Sequence, residues 1–385
     1  MIPYGRQDID QSDIDAVLSV LKSDFLTQGP MVPKFENSVS SHVNVEHCFA
    51  VNSATSALHI ACLALGVKSE DWLWTSPVTF VASANCGLYC GAKVDFVDID
   101  KKTFNICPDA LEEKLKKANL ENKVPKVVVV VHLCGQPSNM SRIHALSVEY
   151  GFFIIEDASH AIGGKYKKEF IGNCRYSDIT VFSFHPVKII TTAEGGMALT
   201  NNPELARKLD LYRSHGITRN EEEMTDSSDG PWYYQQLVLG YNYRMTDIQA
   251  ALGLSQIKKL DEYVATRHKL ANRYNLLLDG LPIVRPWQAT DSYSGFHLYV
   301  IRLKLNELIK SQREIFEDLR NLGIGVNIHY IPVHLQPFFQ KMGFRLGDFP
   351  EAEKYYADAI SLPIFQTLTT SNQDKVIDSL KEVLS

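Results

Sequence analysis

Long apolar runs are missing from this 385-residue sequence, and none approaches the roughly 18 residues that a membrane-spanning helix needs. The opening stretch MIPYGRQDID also lacks the basic and apolar regions of a secretory signal. We therefore expect a cytoplasmic protein without a membrane partner.

Paired cysteines and an excess of basic residues are missing as well. The seven cysteines are an odd set without a CxxC pair, which fits neither a disulfide framework nor a zinc site. The net charge of -6 provides no basic surface for phosphate backbones. We expect no bound metal and no nucleic-acid partner.

The known phosphate-binding loops are absent too. The chain contains no GxxxxGK, and no GxGxxG follows a predicted strand, which argues against nucleoside triphosphates and dinucleotides. The stretch NSATSAL, residues 52–58, instead places small residues and hydroxyls at a predicted helix start, where free amides attract an anion. Ala54 and Thr55 are thus candidates to bind a small phosphoester, although a capped helix without a ligand explains the same pattern.

Predicted strands alternate with predicted helices through most of the chain. Runs such as VVVVV at residues 127–131 are typical of strands buried on both faces of a parallel sheet. We predict an α/β fold in which residues 1–255 form an amino-terminal arm and a large α/β domain with a mainly parallel sheet, and residues 256–385 form a smaller α+β domain. Helices are predicted over residues 12–26, capped by Ser12, and without a break over residues 246–278.

A lysine follows one of the predicted strands directly. In VFSFHPVKIITTAEGGM the strand pattern stops at Pro186, and Lys188 comes next. A partly desolvated lysine has a lowered pKa and can form a Schiff base, whereas most lysines are exposed and have no such role. His185 is near enough to influence the amine, or it packs at the end of the strand.

Three further residues are candidates for binding a flat, charged ligand. Asp157 ends a buried strand at the carboxyl edge, where ligands of parallel sheets bind, but it also suits a cap of the next turn. His160 lies three residues on, and Phe80 offers a ring for stacking or for the core. A nucleophilic lysine, a carboxylate, a phosphate site and an aromatic ring are together what pyridoxal 5'-phosphate (PLP) requires.

Several motifs resemble one family closely: GRQDID, FLTQGP, NSATSALHIA, EDASHAIGG, SFHPVKIITTAEGG, GYNYRMTDIQAALG and HYIPVHLQP. The chain is similar to the DegT/DnrJ/EryC1/StrS sugar aminotransferases, which have the PLP-dependent transferase fold of type I. The resemblance covers nearly the whole chain.

The resemblance implies a set of cofactor contacts. Lys188 would hold PLP covalently, Asp157 would pair with the pyridine nitrogen, and His160 would lie near the ring hydroxyl. The remaining contacts would be the phosphate ligands and the stacking ring, which are Ala54, Thr55, Ser183 and Phe80.

The resemblance also implies a homodimer with shared active sites. Asn242, in GYNYR, matches an asparagine that reaches the phosphate of the neighbouring subunit's cofactor. The residues expected to flank the nucleotide sugar are Tyr4, Thr27, His329 and Tyr330.

The activity implied is transfer of an amino group from L-glutamate to C4 of a UDP-linked 4-keto-6-deoxy-N-acetylhexosamine. The reason is that the residues of these motifs are most similar to those of enzymes of pseudaminic acid biosynthesis. Dehydratases of the family have histidine in place of the lysine, so Lys188 favours transamination. Alternatives are C4 or, less favoured, C3 amination of another nucleotide ketosugar of the bacillosamine, perosamine or aminoarabinose type. A non-catalytic sensor of PLP or of a nucleotide sugar, and a purely structural α/β protein, explain fewer of these residues.

Overall fold

The computed structural model describes all 385 residues. The helices are α1 (Gln11–Leu21), α2 (Met31–Val43), α3 (Ala54–Ala64), α4 (Ala82–Tyr89), α5 (Pro108–Leu120), α6 (Met140–Tyr150), α7 (Pro203–Arg213), α8 (Asp247–Gln256), α9 (Leu260–Leu277), α10 (Gln312–Asn321), α11 (Pro337–Gln340), α12 (Pro350–Asp358) and α13 (Thr370–Leu384). The strands are β1 (Ile2–Pro3), β2 (His47–Val51), β3 (Trp72–Thr75), β4 (Lys93–Phe96), β5 (Val127–Val131), β6 (Phe153–Asp157), β7 (Lys165–Tyr166), β8 (Glu169–Phe170), β9 (Ile179–Ser183), β10 (Gly196–Thr200), β11 (Ile217–Thr218), β12 (Gln235–Gln236), β13 (Ile283–Val284), β14 (Ser292–Tyr293), β15 (Tyr299–Leu303), β16 (Ile324–Gly325) and β17 (Ala359–Leu362).

A seven-stranded sheet in the order β2-β10-β9-β6-β5-β3-β4 forms the centre of the molecule. Only β10 runs against its neighbours, and every other pairing in this sheet is parallel. The five valines of β5 are all buried, because helices cover both faces of the sheet. The predicted α/β fold with a mainly parallel sheet is thereby confirmed, while the expected boundary after residue 255 stays a prediction.

The register brings several chain segments to one edge of this sheet. Asp157 and Ser183 are the last residues of β6 and β9, which run parallel. Because β10 is antiparallel to both β9 and β2, the carboxyl end of β2 and the start of α3 lie at this same edge. Residues that are more than 100 positions apart in sequence thus meet there.

The carboxy-terminal part builds a smaller antiparallel sheet, in the order β13-β15-β17, with its own apolar core. The amino-terminal arm reaches this part, because β1 pairs in parallel with β16. Tyr4 follows β1 directly, and its ring centroid lies 4.9 Å from that of His329.

No helix in the structure has both the length and the apolar character needed to cross a bilayer.

Two predicted helix boundaries are wrong. The first helix begins one residue before Ser12 and ends at Leu21, because Asp10 caps it through a reciprocal capping box with Asp13. The hydroxyl of Ser23 donates to the carbonyl of Val20 at 2.9 Å and helps to close the last turn. The residues that follow, FLTQGP, form an exposed connection to α2 rather than a further helical turn.

The long helix predicted over residues 246–278 is also interrupted. A 3-10 turn at Ile257–Lys259 separates α8 from α9. Lys259 lies at this junction, with φ -100° and ψ -2°, and its ammonium lies 2.7 Å from the fully buried Asp13 and 2.9 Å from Asp10. This contact between distant segments could not be predicted from the apolar period alone.

Asp247, at the start of α8, holds the turn that precedes α2. Its buried carboxylate accepts hydrogen bonds from the amides of Gly29 at 2.7 Å and Met31 at 2.8 Å. We expect Asp247→Ala to lower the free energy of unfolding by about 2–4 kcal/mol, because both amides would lose a charged acceptor. Urea denaturation measures the change; Asp229→Ala, at an exposed position, should alter it by less than about 0.5 kcal/mol. Equal effects of the two substitutions would contradict this role.

Candidate active site

A cleft of about 520 Å³ opens at the carboxyl edge of the central sheet. Its walls come from the amino-terminal arm, the starts of α3 and α4, the ends of β6 and β9, and the segment after β16. Ten residues predicted for the site line it together, namely Tyr4, Ala54, Thr55, Phe80, Asp157, His160, Ser183, Lys188, His329 and Tyr330.

Two predicted residues lie outside this cleft. Thr27 is exposed and forms a β-bridge with Thr246, and the exposed Asn242 forms one with Ser214. Thr27 was expected beside the substrate, but nothing within this chain brings it to the other lining residues. Asn242 was expected to serve a neighbouring subunit, which is compatible with its position outside the cleft of its own chain.

Lys188 extends into the cleft from the turn that follows β9. Its backbone amide donates to the carbonyl of His185 at 2.9 Å, which closes this turn. Burial lowers the pKa of the Lys188 ammonium to about 8, and the charge of Asp157 partly opposes this shift. Lys188 can therefore act as a neutral nucleophile and as a proton carrier under mild conditions.

Asp157 carries a nearly buried carboxylate with neutral neighbours. Ser83 donates its hydroxyl to Oδ2 at 2.6 Å, and Ser159 donates its hydroxyl to Oδ1 at 2.5 Å. No lysine, arginine or histidine nitrogen lies within 4.0 Å of either oxygen. The carboxylate is thus oriented by hydrogen bonds, and its charge is free to stabilise a cationic ligand group.

His160 is held as a neutral hydrogen-bond donor. The amide of Cys134 donates to Nδ1 at 3.3 Å, so the proton of the neutral ring resides on Nε2, which lies 3.1 Å from the Tyr330 hydroxyl. Burial, together with the positive charge of Lys188, holds the pKa of His160 well below its usual value. The Tyr330 oxygen therefore accepts from His160 and keeps its own hydrogen for a ligand.

Two more histidines complete this wall of the cleft. His329 shares a hydrogen bond of 2.8 Å with the Ser361 hydroxyl through Nδ1, and burial lowers its pKa to about 3. The ring centroid of His297 lies 4.3 Å from that of His160, and burial holds the pKa of His297 well below normal. Three neutral rings thus lie around Lys188 and Asp157, and the exposed Glu194 is a further carboxylate that lines the cleft.

The start of α3 forms a cradle for an anion. The amide of Ser56 is capped by the Ser53 hydroxyl at 3.1 Å, whereas those of Ala54 and Thr55 have no partner within the helix. A Cβ on Gly196 would lie 2.4 Å from the Ala54 nitrogen, so only glycine allows β10 to approach the helix start. Together with Ser183 on the cleft wall, these groups suit a phosphate.

Phe80 provides an aromatic wall on the open side of the cleft. The side chain is 58% exposed, which is unusual for a phenylalanine that only fills a core. Its ring centroid lies 6.2 Å from that of Tyr330, across the cleft mouth. A flat ligand can therefore pack on it.

Sequence reasoning missed three residues of this site. Ser83 and Ser159 orient Asp157. Their small polar side chains in FVASAN and EDASHA are the only feature of the sequence that could have indicated this role. His297 precedes the strand-like run LYVIRL, where a buried histidine carries no local pattern. Its contact with His160 depends on packing between distant segments.

A model of the DegT/DnrJ/EryC1/StrS aminotransferase family matches residues 7–381. The chain belongs to this family. The family member UDP-4-amino-4,6-dideoxy-N-acetyl-beta-L-altrosamine transaminase of Campylobacter jejuni is 39% identical over 387 aligned positions, which cover 100% of this chain and 98% of that protein.

Solved structures give the same assignment. The Helicobacter pylori aminotransferase PseC, involved in the biosynthesis of pseudoaminic acid, superposes with a TM-score of 0.91 at 31% identity, covering 100% of this chain and 99% of that one. The PLP form of the putative sugar aminotransferase Spr1654 of Streptococcus pneumoniae superposes with a TM-score of 0.88 at 28% identity, over 99% and 98% of the two chains. The protein is therefore an enzyme of the PLP-dependent sugar aminotransferase class, as the motifs predicted.

Proposed function

We propose that this enzyme transfers an amino group from L-glutamate to C4 of a UDP-linked 4-keto-6-deoxy-N-acetylhexosamine, as in pseudaminic acid biosynthesis. One observation supports the transaminase chemistry: the same cleft is lined by Lys188, Asp157 and the start of α3. The Campylobacter relative is a transaminase of a UDP-linked amino sugar, and the Helicobacter relative is an aminotransferase of pseudoaminic acid biosynthesis, which supports the choice of sugar.

The residues of the cleft fit PLP. Lys188 would hold the cofactor aldehyde, Asp157 would pair with the ring nitrogen, and His160 would lie near the ring hydroxyl. The amides of Ala54 and Thr55 and the Ser183 hydroxyl would hold the phosphate, and Phe80 would cover one face of the ring. When bound, PLP supplies the electron sink for bond cleavage at the donor's Cα.

Lys188 has two tasks in this proposal. As a neutral amine it would hold the cofactor, and once L-glutamate is bound the amine would be free to move protons. The freed amine takes the proton from Cα of the donor and, in the second half-reaction, returns a proton at C4 of the sugar. Tyr4, His329 and Tyr330 would face the nucleotide sugar, and Tyr330 has its hydroxyl hydrogen available for a sugar oxygen.

A homodimer with shared active sites is part of this proposal, and the charges of the cleft support it. Both substrates are anions, yet Lys188 is the only lysine or arginine among the lining residues. A second copy of the chain would supply the missing polar contacts, through the segment that carries the exposed Asn242 and Arg219. Asn242 would reach the phosphate of the neighbouring cofactor.

A product assay tests the proposed function. Purified holoenzyme with L-glutamate and a set of UDP- and dTDP-linked 4-keto-6-deoxysugars should yield 2-oxoglutarate and a C4 amine only from the UDP-linked N-acetyl sugar, with the configuration assigned by NMR. A C4 amine of the bacillosamine configuration, or preferential turnover of a dTDP-linked ketosugar, would replace the proposed substrate, and a C3 amine would refute the regiochemistry.

The lowered pKa of Lys188 predicts how its reaction with PLP depends on pH. Because the neutral amine reacts and its pKa is about 8, the rate of PLP addition to cofactor-free enzyme should rise about tenfold per pH unit below 8 and level off above it. An exposed lysine, with a pKa of about 10.4, would keep accelerating to about pH 10. Stopped-flow absorbance measures the rate, and a continued rise beyond pH 9 would contradict the assigned pKa.

A further inference from the structure

The segment of residues 241–244, which carries Asn242, is joined to the rest of the chain on two sides. On one side Asn242 forms a β-bridge with Ser214. On the other side the amide of Asn52 donates to the carbonyl of Tyr243 at 2.8 Å. Asn52 lies between the end of β2 and the start of α3, so this hydrogen bond ties the segment to the anion cradle at the start of α3.

The two tyrosines of this segment pack towards α3. Tyr241 and Tyr243 stack on each other, with ring centroids 4.9 Å apart. The ring of His59, a buried residue of α3, lies 4.8 Å from that of Tyr241, and its Nδ1 shares a hydrogen bond of 3.1 Å with the Tyr243 hydroxyl. Side chains alternate along an extended segment, so Asn242, between the two tyrosines, points away from α3 and is exposed.

We propose that His59 and Tyr243 are positioning residues for the active site of a neighbouring subunit. Their hydrogen bond fixes the segment on α3 and thereby holds Asn242 outward, towards the cofactor phosphate of a second copy of the chain. The role rests on the proposed function, in which a homodimer shares its active sites. The helix that would bind the phosphate of its own site thus also holds the residue that serves the other site.

The benefit of this hydrogen bond lies in preorganisation. The Tyr243 hydroxyl makes no other hydrogen bond in the chain, so without it only the stacking with Tyr241 would hold the side chain. An asparagine whose segment is fixed before the phosphate arrives loses less conformational freedom when it binds. The contact of Asn242 with the phosphate is therefore strengthened from a distance.

Binding of PLP and of pyridoxal, which lacks the phosphate, separates this role from a general distortion of the site. The enzyme is freed of cofactor and titrated with each compound, and absorbance reports covalent binding at Lys188. We expect Tyr243→Phe to weaken the binding of PLP about fivefold, the effect of about one hydrogen bond, and that of pyridoxal by less than about twofold. Equal weakening of both compounds would overturn the proposal.

Three further variants assign the effect to one hydrogen bond. His59→Phe should weaken PLP binding as much as Tyr243→Phe, and the double variant should be no weaker than either, because both substitutions remove the same bond. Tyr89 also packs on His59, at a centroid distance of 5.4 Å, but it is exposed and shares no hydrogen bond with it. Tyr89→Phe should therefore leave both titrations unchanged, and a loss equal to that of Tyr243→Phe would contradict the role of the hydroxyl.

Asn242→Ala distinguishes a failure of the positioning role from a failure of the shared site. It should weaken PLP binding at least as much as Tyr243→Phe and spare the binding of pyridoxal. If only Asn242→Ala does so, the shared site stands and the role of His59 and Tyr243 is refuted. If Asn242→Ala leaves PLP binding unchanged, the shared site itself is refuted, together with that role.

Mixed dimers show whether the hydroxyl acts across the subunit interface, because Lys188→Ala confines covalent binding of PLP to the other subunit. In a dimer of a Lys188→Ala subunit and a Tyr243→Phe subunit, the remaining Lys188 faces an intact segment, and we expect wild-type affinity for PLP. In a dimer of a wild-type subunit and a subunit with both substitutions, it faces the altered segment and should bind PLP about fivefold more weakly. Equal affinities, or the opposite order, would refute a role across the interface.

Discussion

Lys188→Ala is expected to abolish transamination, with kcat reduced by at least about 10⁴-fold, because a single amine serves as nucleophile and as proton carrier. The residue lies in the cleft with a pKa lowered to about 8, and no other lysine or arginine lines that cleft. Its neighbours His160, His297 and His329 have pKa values held below normal, and two of them already make ring hydrogen bonds. No group nearby is therefore suited to replace the amine.

Release of 2-oxoglutarate from L-glutamate in a coupled assay measures this loss. Lys188→Arg is the matched control, because it keeps a positive charge but has a pKa above about 12 and cannot act as a neutral amine. Both variants should therefore be inactive, while PLP still binds through its phosphate and ring contacts. More than about 1% of wild-type turnover in Lys188→Ala would refute the role assigned to this residue.

The central fold could be predicted because its signals are local and repeated. Each buried strand of the parallel sheet is a short apolar run, such as the valines of β5, and each alternates with an amphipathic helix. The interruption at Ile257–Lys259 could not be predicted, because it is accompanied by an ion pair between Lys259 and Asp13, 246 positions away. Helix ends depend on such tertiary contacts, which periodicity does not contain.

The candidate site could be predicted where a residue type has a strong chemical preference at a strand end or helix start. Asp157, Lys188 and Thr55 all belong to motifs of this kind, and the cleft contains all three. His297 belongs to no such motif. It is recognised only by its contact with His160, which forms between distant segments. Thr27, which was expected beside the substrate, lies outside the cleft and pairs with Thr246, a contact between distant segments that its own motif does not predict.

Asp157→Asn should cause the second large loss of activity, because Asp157 is proposed to pair with the ring nitrogen of PLP. The amide keeps the shape of the carboxylate but cannot stabilise a protonated ring nitrogen in a buried site. Losing one partner of such a pair costs about 3–5 kcal/mol, which corresponds to a fall in kcat of roughly 10²–10⁴-fold. Steady-state kinetics with saturating L-glutamate measures it, with the PLP content of each preparation quantified separately.

Ser159→Ala is the matched control for this substitution. It removes one hydroxyl donor, at 2.5 Å from Oδ1, but leaves the charge of Asp157 and the second donor, Ser83, in place. We expect kcat to fall less than about tenfold. One hydrogen bond to a charged group stabilises it by about 1.5–3 kcal/mol, and only part of this free energy is specific to the transition state. If Asp157→Asn and Ser159→Ala lose equal activity, orientation rather than charge is what Asp157 contributes. Asp157→Asn that transaminates at the wild-type rate would refute its pairing with the ring nitrogen altogether.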